Sequence, residues 1–257
     1  MNPPTSKYRE HGPYHWRQAE NGIRHYSPAL DANYRVVTEV IRRMGGAIQR
    51  ARGSPLTVVD VGCGDGVLLY RLRRTLGSAA KLIGVDCDTV ALELCRREFD
   101  RARVRAPLLI NADATKIPIP DASGDIVTCV ELIEHVSDPA KLTEETRRVV
   151  REDGIVIFTT PYRRNNGLHS CHHVREFAPS ELAETLCPYF EVVEICGFRS
   201  TLTSHLYRRA GRPGRLAFKI IARWVYNPMR RCRTLQNGGG AEERQFEQLL
   251  AVCRPWS

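Results

Sequence analysis

Val58-Val-Asp-Val-Gly-Cys-Gly-Asp-Gly66, followed directly by Val67-Leu-Leu-Tyr-Arg-Leu72, is the stretch that decides the fold. Apolar β-formers run into a carboxylate, three alternating glycines follow, and a helical pattern starts at once. This order reads as strand, tight turn and helix N-terminus, the first half of a nucleotide-binding α/β unit. Glycines lack a Cβ, so backbone can approach a ligand closely, and the first helical turn offers unpaired N–H groups. Spacing separates the ligand classes that use such turns. A dinucleotide fingerprint requires Gly-x-Gly-x-x-Gly, whereas Gly62, Gly64 and Gly66 alternate and Val67 holds the third fingerprint position.

Outward from this turn, strands and helices alternate, which implies a parallel sheet covered on both faces. After strand one (Thr57 to Val61) and its helix (Val67 to Leu76), strand two is Lys81 to Asp86, followed by a helix through Val90, Ala91, Leu94 and Cys95. Strand three is Pro107 to Asn111 and strand four Asp125 to Val130, with a helix over Pro139 to Val150. Strand five is Ile155 to Thr160, a helix runs from Ala178 to near Cys187, and strand six is Phe190 to Cys196. Gln248 to Cys253 reads as the last strand, so the segment from Gly197 to about Gln245 becomes an insertion. Before strand one, Tyr34, Val37, Val40, Ile41 and Met44 share one face of a helix over Asn33 to Met44. Gly45-Gly46 and Gly53-Ser-Pro55 then bracket the way into the sheet.

Asp-x-Gly-x-Gly-x-Gly over Asp60 to Gly66 resembles motif I of the class I S-adenosylmethionine (SAM)-dependent methyltransferases, and the segment order follows that family from Val58 through Thr160. The resemblance implies SAM as cofactor and a doubly wound, Rossmann-like α/β fold with a mixed seven-stranded sheet, the last strand antiparallel. It implies that Gly62 and Gly64 meet the methionine portion and that Asp60 orders the turn and accepts from the ammonium. Asp86, ending strand two, would take the ribose hydroxyls, and Asp113 with Ala114, after strand three, the adenine. A lone Asp at a strand end is more often a turn former; three on consecutive strands are harder to explain that way. Arg35 could pair with the SAM carboxylate.

Cys129-Val-Glu-Leu-Ile-Glu-His-Val-Ser-Asp-Pro139 is similar to the segment after strand four in small-molecule methyltransferases, including ubiquinone-biosynthesis O-methyltransferases, and His173 to Leu182 fits the same group. By that likeness Glu131 lies beside the methionine and sulfonium. His135 is the candidate general base, an imidazole neutral near pH 7 that can take a hydroxyl proton; the alternative is a capping or packing role. Glu131, Glu134, His135 and His173 also resemble the metal-binding tetrad of small-RNA 3′-terminal 2′-O-methyltransferases. Against that, Glu-x-x-Glu-His is frequent in methyltransferases not known to need metal, and no RNA-binding domain is appended. His169, Cys171 and His172 have no matching second pair, and a zinc reading of them is rejected.

The bulk properties fit one domain with appendages: 257 residues, 42% hydrophobic, with a net charge of +9 carried mostly by arginine. Nine cysteines at irregular spacing, with no Cys-x-x-Cys pair, read as reduced thiols of a cytoplasmic protein. The polar start, Met1 to Pro13, suggests no signal peptide. Residues 1–32 form an arm dense in His11, Tyr14, His15, Trp16, His25 and Tyr26, either partly disordered or a lid. Residues 33–197 are the expected core, 198–245 a basic helical insertion, and 246–257 the last strand. In the insertion, Arg215, Lys219 and Arg223 recur every fourth residue while Phe218, Ile221, Trp224 and Val225 face elsewhere. That helix, 215–226, packs on the core, meets a membrane surface or, third, binds RNA. The expected activity is methyl transfer to a small-molecule acceptor, most simply a hydroxyl oxygen, with a lipidic acceptor as one option. The alternatives are a metal-assisted RNA 2′-O-methyltransferase and a non-catalytic binding protein of the same fold.

Overall fold

In the computed structural model, β1 (Thr57–Val61) lies near the middle of one sheet, paired in parallel with β2 (Lys81–Asp86) on one side and β4 (Gly124–Val130) on the other. The structure describes residues 7–163, 170, 172–200, 207, 209, 211–224, 233–234 and 246–256. β3 (Leu108–Asn111) extends the parallel run beyond β2, and β5 (Val150–Pro161) extends it beyond β4. β8 (Phe246–Pro255) then inserts antiparallel between β5 and β6 (Phe190–Ser200). The strand order is β3-β2-β1-β4-β5-β8-β6-β7, with β8 running against both its neighbours. The seven expected strands are present. The additional one, β7 (Arg233–Thr234), is a two-residue pairing that the insertion makes with the edge of β6.

Residues alternate between the two faces of the sheet, as period-2 geometry requires. Val58, Ile126 and Ile157 pack with α4 (Pro28–Arg52), α5 (Val67–Leu76) and α6 (Thr89–Ala102). Their chain neighbours Val59, Val127 and Phe158 pack with α7 (Pro139–Val149) and α8 (Pro179–Leu186). Both layers are closed by fully buried Leu and Phe side chains, among them Leu69, Leu72, Phe99, Phe158 and Phe190.

Two expectations need correction. The helix read as Asn33 to Met44 runs from Pro28 to Arg52, starting with Pro28 behind the Ser27 N-cap and ending at left-handed Gly53. Gly45 does not break it. A Cβ there would come within 2.9 Å of Leu56 Cδ1 and 3.1 Å of Ile126 Cδ1, so the glycine lets the helix lie close on the sheet. The cysteines are not all reduced. Cys196, where β6 pairs with β7, is disulfide-bonded. Six other described cysteines are free. The run Asn237-Gly-Gly-Gly240, which reads from the sequence as a flexible joint, lies outside the described residues.

Ahead of α4 come three short helices, α1 (Lys7–His11), α2 (Tyr14–Ala19) and α3 (Gly22–His25). They pack on the core and bury Trp16 and Ala19. No described helix is long and apolar enough to cross a membrane.

Candidate active site

The turn after β1 takes the conformation its glycines permit: Gly62, Gly64 and Gly66 all have positive φ, at 74°, 53° and 81°. Gly62 N–H and Cys63 N–H donate to Val85 O, and Gly64 N–H donates to Asp86 Oδ2 at 2.8 Å. The other Asp86 oxygen accepts from Asp88 N–H at 2.8 Å. Asp86 thus ties the glycine loop to the end of β2, and burial raises its pKa. A carboxylate has roughly four acceptor sites, so two remain for hydroxyls. Asp60 is buried within the sheet and accepts from Thr128 Oγ1 at 2.6 Å. Burial pushes its pKa up to about 7, the nearby Asp86 adding to the shift. Asp113 is exposed and takes both the N–H and the hydroxyl of Thr115 at 2.7 Å, bonds that hold its pKa low. It forms the turn while leaving its second oxygen outward, with Ala114 partly buried beside the lower core.

The arm's His15 and Trp16, noted in the sequence, meet two residues that were not singled out there, Asp65 and Tyr8. Asp65, between the last two glycines, accepts from His15 N–H at 3.0 Å and Trp16 N–H at 3.2 Å. These are the second and third residues of α2, so a residue in the glycine loop acts as that helix's N-cap from about fifty positions away. Tyr8 Oη lies 3.1 Å from His15 Nδ1, and a Cβ on Gly64 would meet Tyr8 Oη at 2.3 Å. Burial raises the Tyr8 pKa, and the Asp65 charge raises it further. Trp16 packs on Tyr70 and Phe99 at ring distances of 4.7 and 5.9 Å. The available signals were the aromatic density of the arm and an acid inside the glycine turn. We expect Asp65→Ala to release the arm, at a cost of about 1–2 kcal/mol for the lost cap. The check is the emission of Trp16, now 4% exposed, which should shift red while the helix content of the core stays unchanged.

At the next strand end, Glu131 has a positive φ of 52°, costly for a non-glycine residue and a common mark of functional positions. Its N–H donates to Thr159 O, Oε1 accepts from Thr159 Oγ1 at 3.1 Å, and Oε2 accepts from Gln248 Nε2 at 3.1 Å. Residues of β5 and β8 therefore fix its orientation. Glu134 is buried, and desolvation raises its pKa, with the Glu131 charge adding. His135 places Nδ1 2.9 Å from His172 O, and burial lowers its pKa. His173 Nδ1 lies 2.5 Å from Glu176 Oε1, and the two imidazoles stand edge to face 4.9 Å apart. His169 and Cys171 lie outside the described residues.

Arg35 sits differently from the expectation that it reaches the cofactor. Its Nη1 donates to Ala222 O at 3.1 Å and lies 3.7 Å from Asp31 Oδ2, linking α4 to α9 (Arg212–Trp224). Arg71, on α5, also binds Asp31, pairing with it and with Glu20 and lying over the Tyr34 ring.

Residues 59–158 match the model of a family described as a methyltransferase domain. A Mycolicibacterium smegmatis protein named as a probable S-adenosylmethionine-dependent methyltransferase is 31% identical over 160 residues, 60% of this chain and 56% of that one. The chain spans about half the length of the first such relatives it matches. The ubiquinone biosynthesis O-methyltransferase of Acinetobacter baylyi is 32% identical over 178 residues, 67% of this chain and 68% of that one. Among solved structures, the [4+2]-cyclase SpnF superposes with a TM-score of 0.56 at 19% identity, covering 84% of this chain and 81% of that one. That likeness carries the fold alone, because the same architecture hosts different reactions. The match of the family model to the glycine loop and its flanking strands, and the relative covered over two thirds of its length, establish that the chain belongs to the class I S-adenosylmethionine-dependent methyltransferases.

Proposed function

We propose that this protein transfers the methyl group of SAM to a hydroxyl oxygen of a small molecule. The observation that carries the reading is the carboxyl end of the parallel strands, where the left-handed glycine loop follows β1, Asp86 ends β2, and Glu131 and then His135 follow β4. The residues fit the cofactor. Gly62 and Gly64 present backbone that a side chain would cover: a Cβ at Gly62 would fall 2.9 Å from Leu132, and one at Gly64 would meet Tyr8. Asp60 would face the ammonium, Asp86 the ribose, and Asp113 with Ala114 the adenine; Glu131 would lie beside the methionine portion. Arg35 is a candidate for the cofactor carboxylate only if it leaves Ala222 O. When bound, SAM supplies a methyl carbon that is already a strong electrophile. The chain's own task is then alignment and proton removal.

His135 is suited to the second task. A carbonyl only accepts, so its contact with His172 O fixes the proton on Nδ1 and leaves the Nε2 lone pair for a hydroxyl. The lowered pKa keeps that lone pair available at neutral pH. We expect His135→Asn to lower kcat by about 10²–10⁴-fold with little change in affinity for S-adenosylhomocysteine. The test is calorimetric titration with S-adenosylhomocysteine, followed by transfer of labelled methyl to hydroxyl- and amine-bearing acceptors. Absence of binding would overturn the reading, and transfer confined to amines would overturn the choice of oxygen. The arm, residues 1–32, would serve as a lid, since Tyr8 and His15 already lie against the glycine loop.

A lipidic acceptor is favoured by α9. Leu216, Ile220 and Ile221 are 48–56% exposed there, beside Arg215 and Lys219, a combination suited to an anionic interface. The helix is held to the arm through Lys219 Nζ on Arg24 O. Val225 and Tyr226 lie outside the described residues. Anionic vesicles should co-float with the parent protein, and Ile220→Asp with Ile221→Asp should abolish co-flotation. Binding of RNA instead, lost steeply with salt, would favour a nucleic-acid acceptor.

A further inference from the structure

Gln248 is 3% exposed and only half satisfied. Its Nε2 donates to Glu131 Oε2 at 3.1 Å, while Oε1 is buried with no hydrogen-bond partner among the described residues. The opposite orientation of the amide would set its oxygen against a carboxylate oxygen, so the nitrogen belongs on Glu131 and the oxygen stays bare. A bare buried acceptor is unfavourable unless a bound molecule satisfies it. Gln248 is the third residue of β8, opposite Pro161 of β5 and Phe198 of β6. Because β8 runs antiparallel to β5, its start lies level with the carboxyl ends of the parallel strands. Glu131 directly follows β4, which pairs with β1 through Cys129 and Val61, just before the glycine loop. The turn it opens touches that loop, since Leu132 is the side chain that a Cβ on Gly62 would meet.

Two anchors from different strands, Thr159 Oγ1 on Oε1 and Gln248 Nε2 on Oε2, hold the Glu131 carboxylate in place on a left-handed backbone. Donors of this kind favour the ionised form of a carboxylate. We propose that Gln248 sets the site's preference for the charged cofactor over its neutral product. Nε2 keeps Glu131 ionised and aimed, Oε1 turns the negative end of the amide dipole the same way, and both face the sulfonium. Resting on the cofactor placement proposed above, Gln248 is then a positioning and specificity residue. SAM carries a positive sulfonium and S-adenosylhomocysteine a neutral thioether, so attraction to Glu131 is present before transfer and absent after it. In the transfer the methyl carbon leaves sulfur for the acceptor oxygen, sulfur keeps the bonding pair, and the hydroxyl proton goes to His135. The product is thus held less tightly than the cofactor that must replace it.

The test is calorimetric comparison of SAM, S-adenosylhomocysteine and sinefungin, which carries an ammonium where SAM carries the S-methyl group. In the parent both cations are expected to bind about tenfold or more tightly than S-adenosylhomocysteine. Gln248→Met, matched in length but without the amide donor, is expected to shrink the SAM preference about tenfold. The sinefungin preference should shrink further, because the ammonium N–H groups also lose Oε1. Gln248→Glu keeps an acceptor oxygen and shares a proton with Glu131, so most of both preferences should return. A methionine variant that keeps the parent's ratios overturns the proposal. Equal losses in the methionine and glutamate variants assign the effect to disturbed packing and overturn it too. Where the methionine variant fails to fold, the parent decides: S-adenosylhomocysteine bound as tightly as both cations overturns the proposal and leaves the methyltransferase reading standing. Binding of none of the three removes the cofactor placement itself.

Discussion

Asp86→Ala is expected to weaken binding of S-adenosylhomocysteine by about two orders of magnitude, because hydrogen bonds to a charged acceptor contribute about 1.5–3 kcal/mol each. The carboxylate has two separable jobs. Its present bonds, to Gly64 N–H and Asp88 N–H, hold the glycine loop against the end of β2. Its remaining lone pairs would take the ribose hydroxyls. Alanine removes both, so part of its effect would come from a loosened loop. Asp86→Asn keeps the shape and one acceptor oxygen but loses the charge, one hydroxyl partner and one of the two loop bonds, because its amide nitrogen cannot accept from an N–H. It should cost about tenfold, near 1.4 kcal/mol, with a thermal midpoint lowered less than in the alanine variant because one loop bond survives. An affinity for S-adenosylhomocysteine that is the same in all three proteins would remove Asp86 from the cofactor site. Loss in alanine with none in asparagine would reduce its role to holding the loop.

The parts of this architecture that were legible are those written in local pattern. Alternation of short apolar runs with helical periods located the seven main strands, and even the displaced last one was visible in Gln248 to Cys253, inside the observed Phe246–Pro255. The strand-end acids were legible because a charge that interrupts an apolar run has few structural reasons to be there. What was not legible depends on residues far apart in the chain. Asp65 caps a helix about fifty positions earlier, and nothing near Asp65 announces that partner. Gly45-Gly46 resembles a break, and only the nearness of Leu56 and Ile126 shows that it is a packing surface. Arg35 was assigned by analogy of position, but the helix face it occupies looks toward Ala222 of α9, on an insertion whose docking no local pattern reveals. The grouping of Glu134 and His135 was legible as a motif. The carbonyl of His172 that fixes the proton of His135 on Nδ1 was not.

Cofactor affinity should depend on pH through Asp60, and the sign follows from its environment. Burial lifts this carboxyl from the ordinary range to about 7, so the unliganded protein holds it protonated in mild acid. An ammonium bound against it requires the ionised form, and binding below that pKa must expel a proton. Linkage then predicts that affinity for S-adenosylhomocysteine falls about tenfold per pH unit below 7, about a hundredfold by pH 5, and levels off above 8. Asp60→Asn should flatten this dependence and bind at the weak, acid-like level throughout. Stability runs the other way. Because the folded pKa is raised, the unliganded parent is favoured most below about pH 4 and loses that advantage as pH climbs to about 7, where the folded carboxyl finally ionises. Asparagine has no charge to bury and can still accept from Thr128 Oγ1. The unliganded variant should therefore melt higher than the parent at pH 8 while binding the cofactor worse, a separation that a merely damaged fold cannot produce. A parent whose affinity is flat from pH 5 to 8 would leave Asp60 as a partner of Thr128 and nothing more.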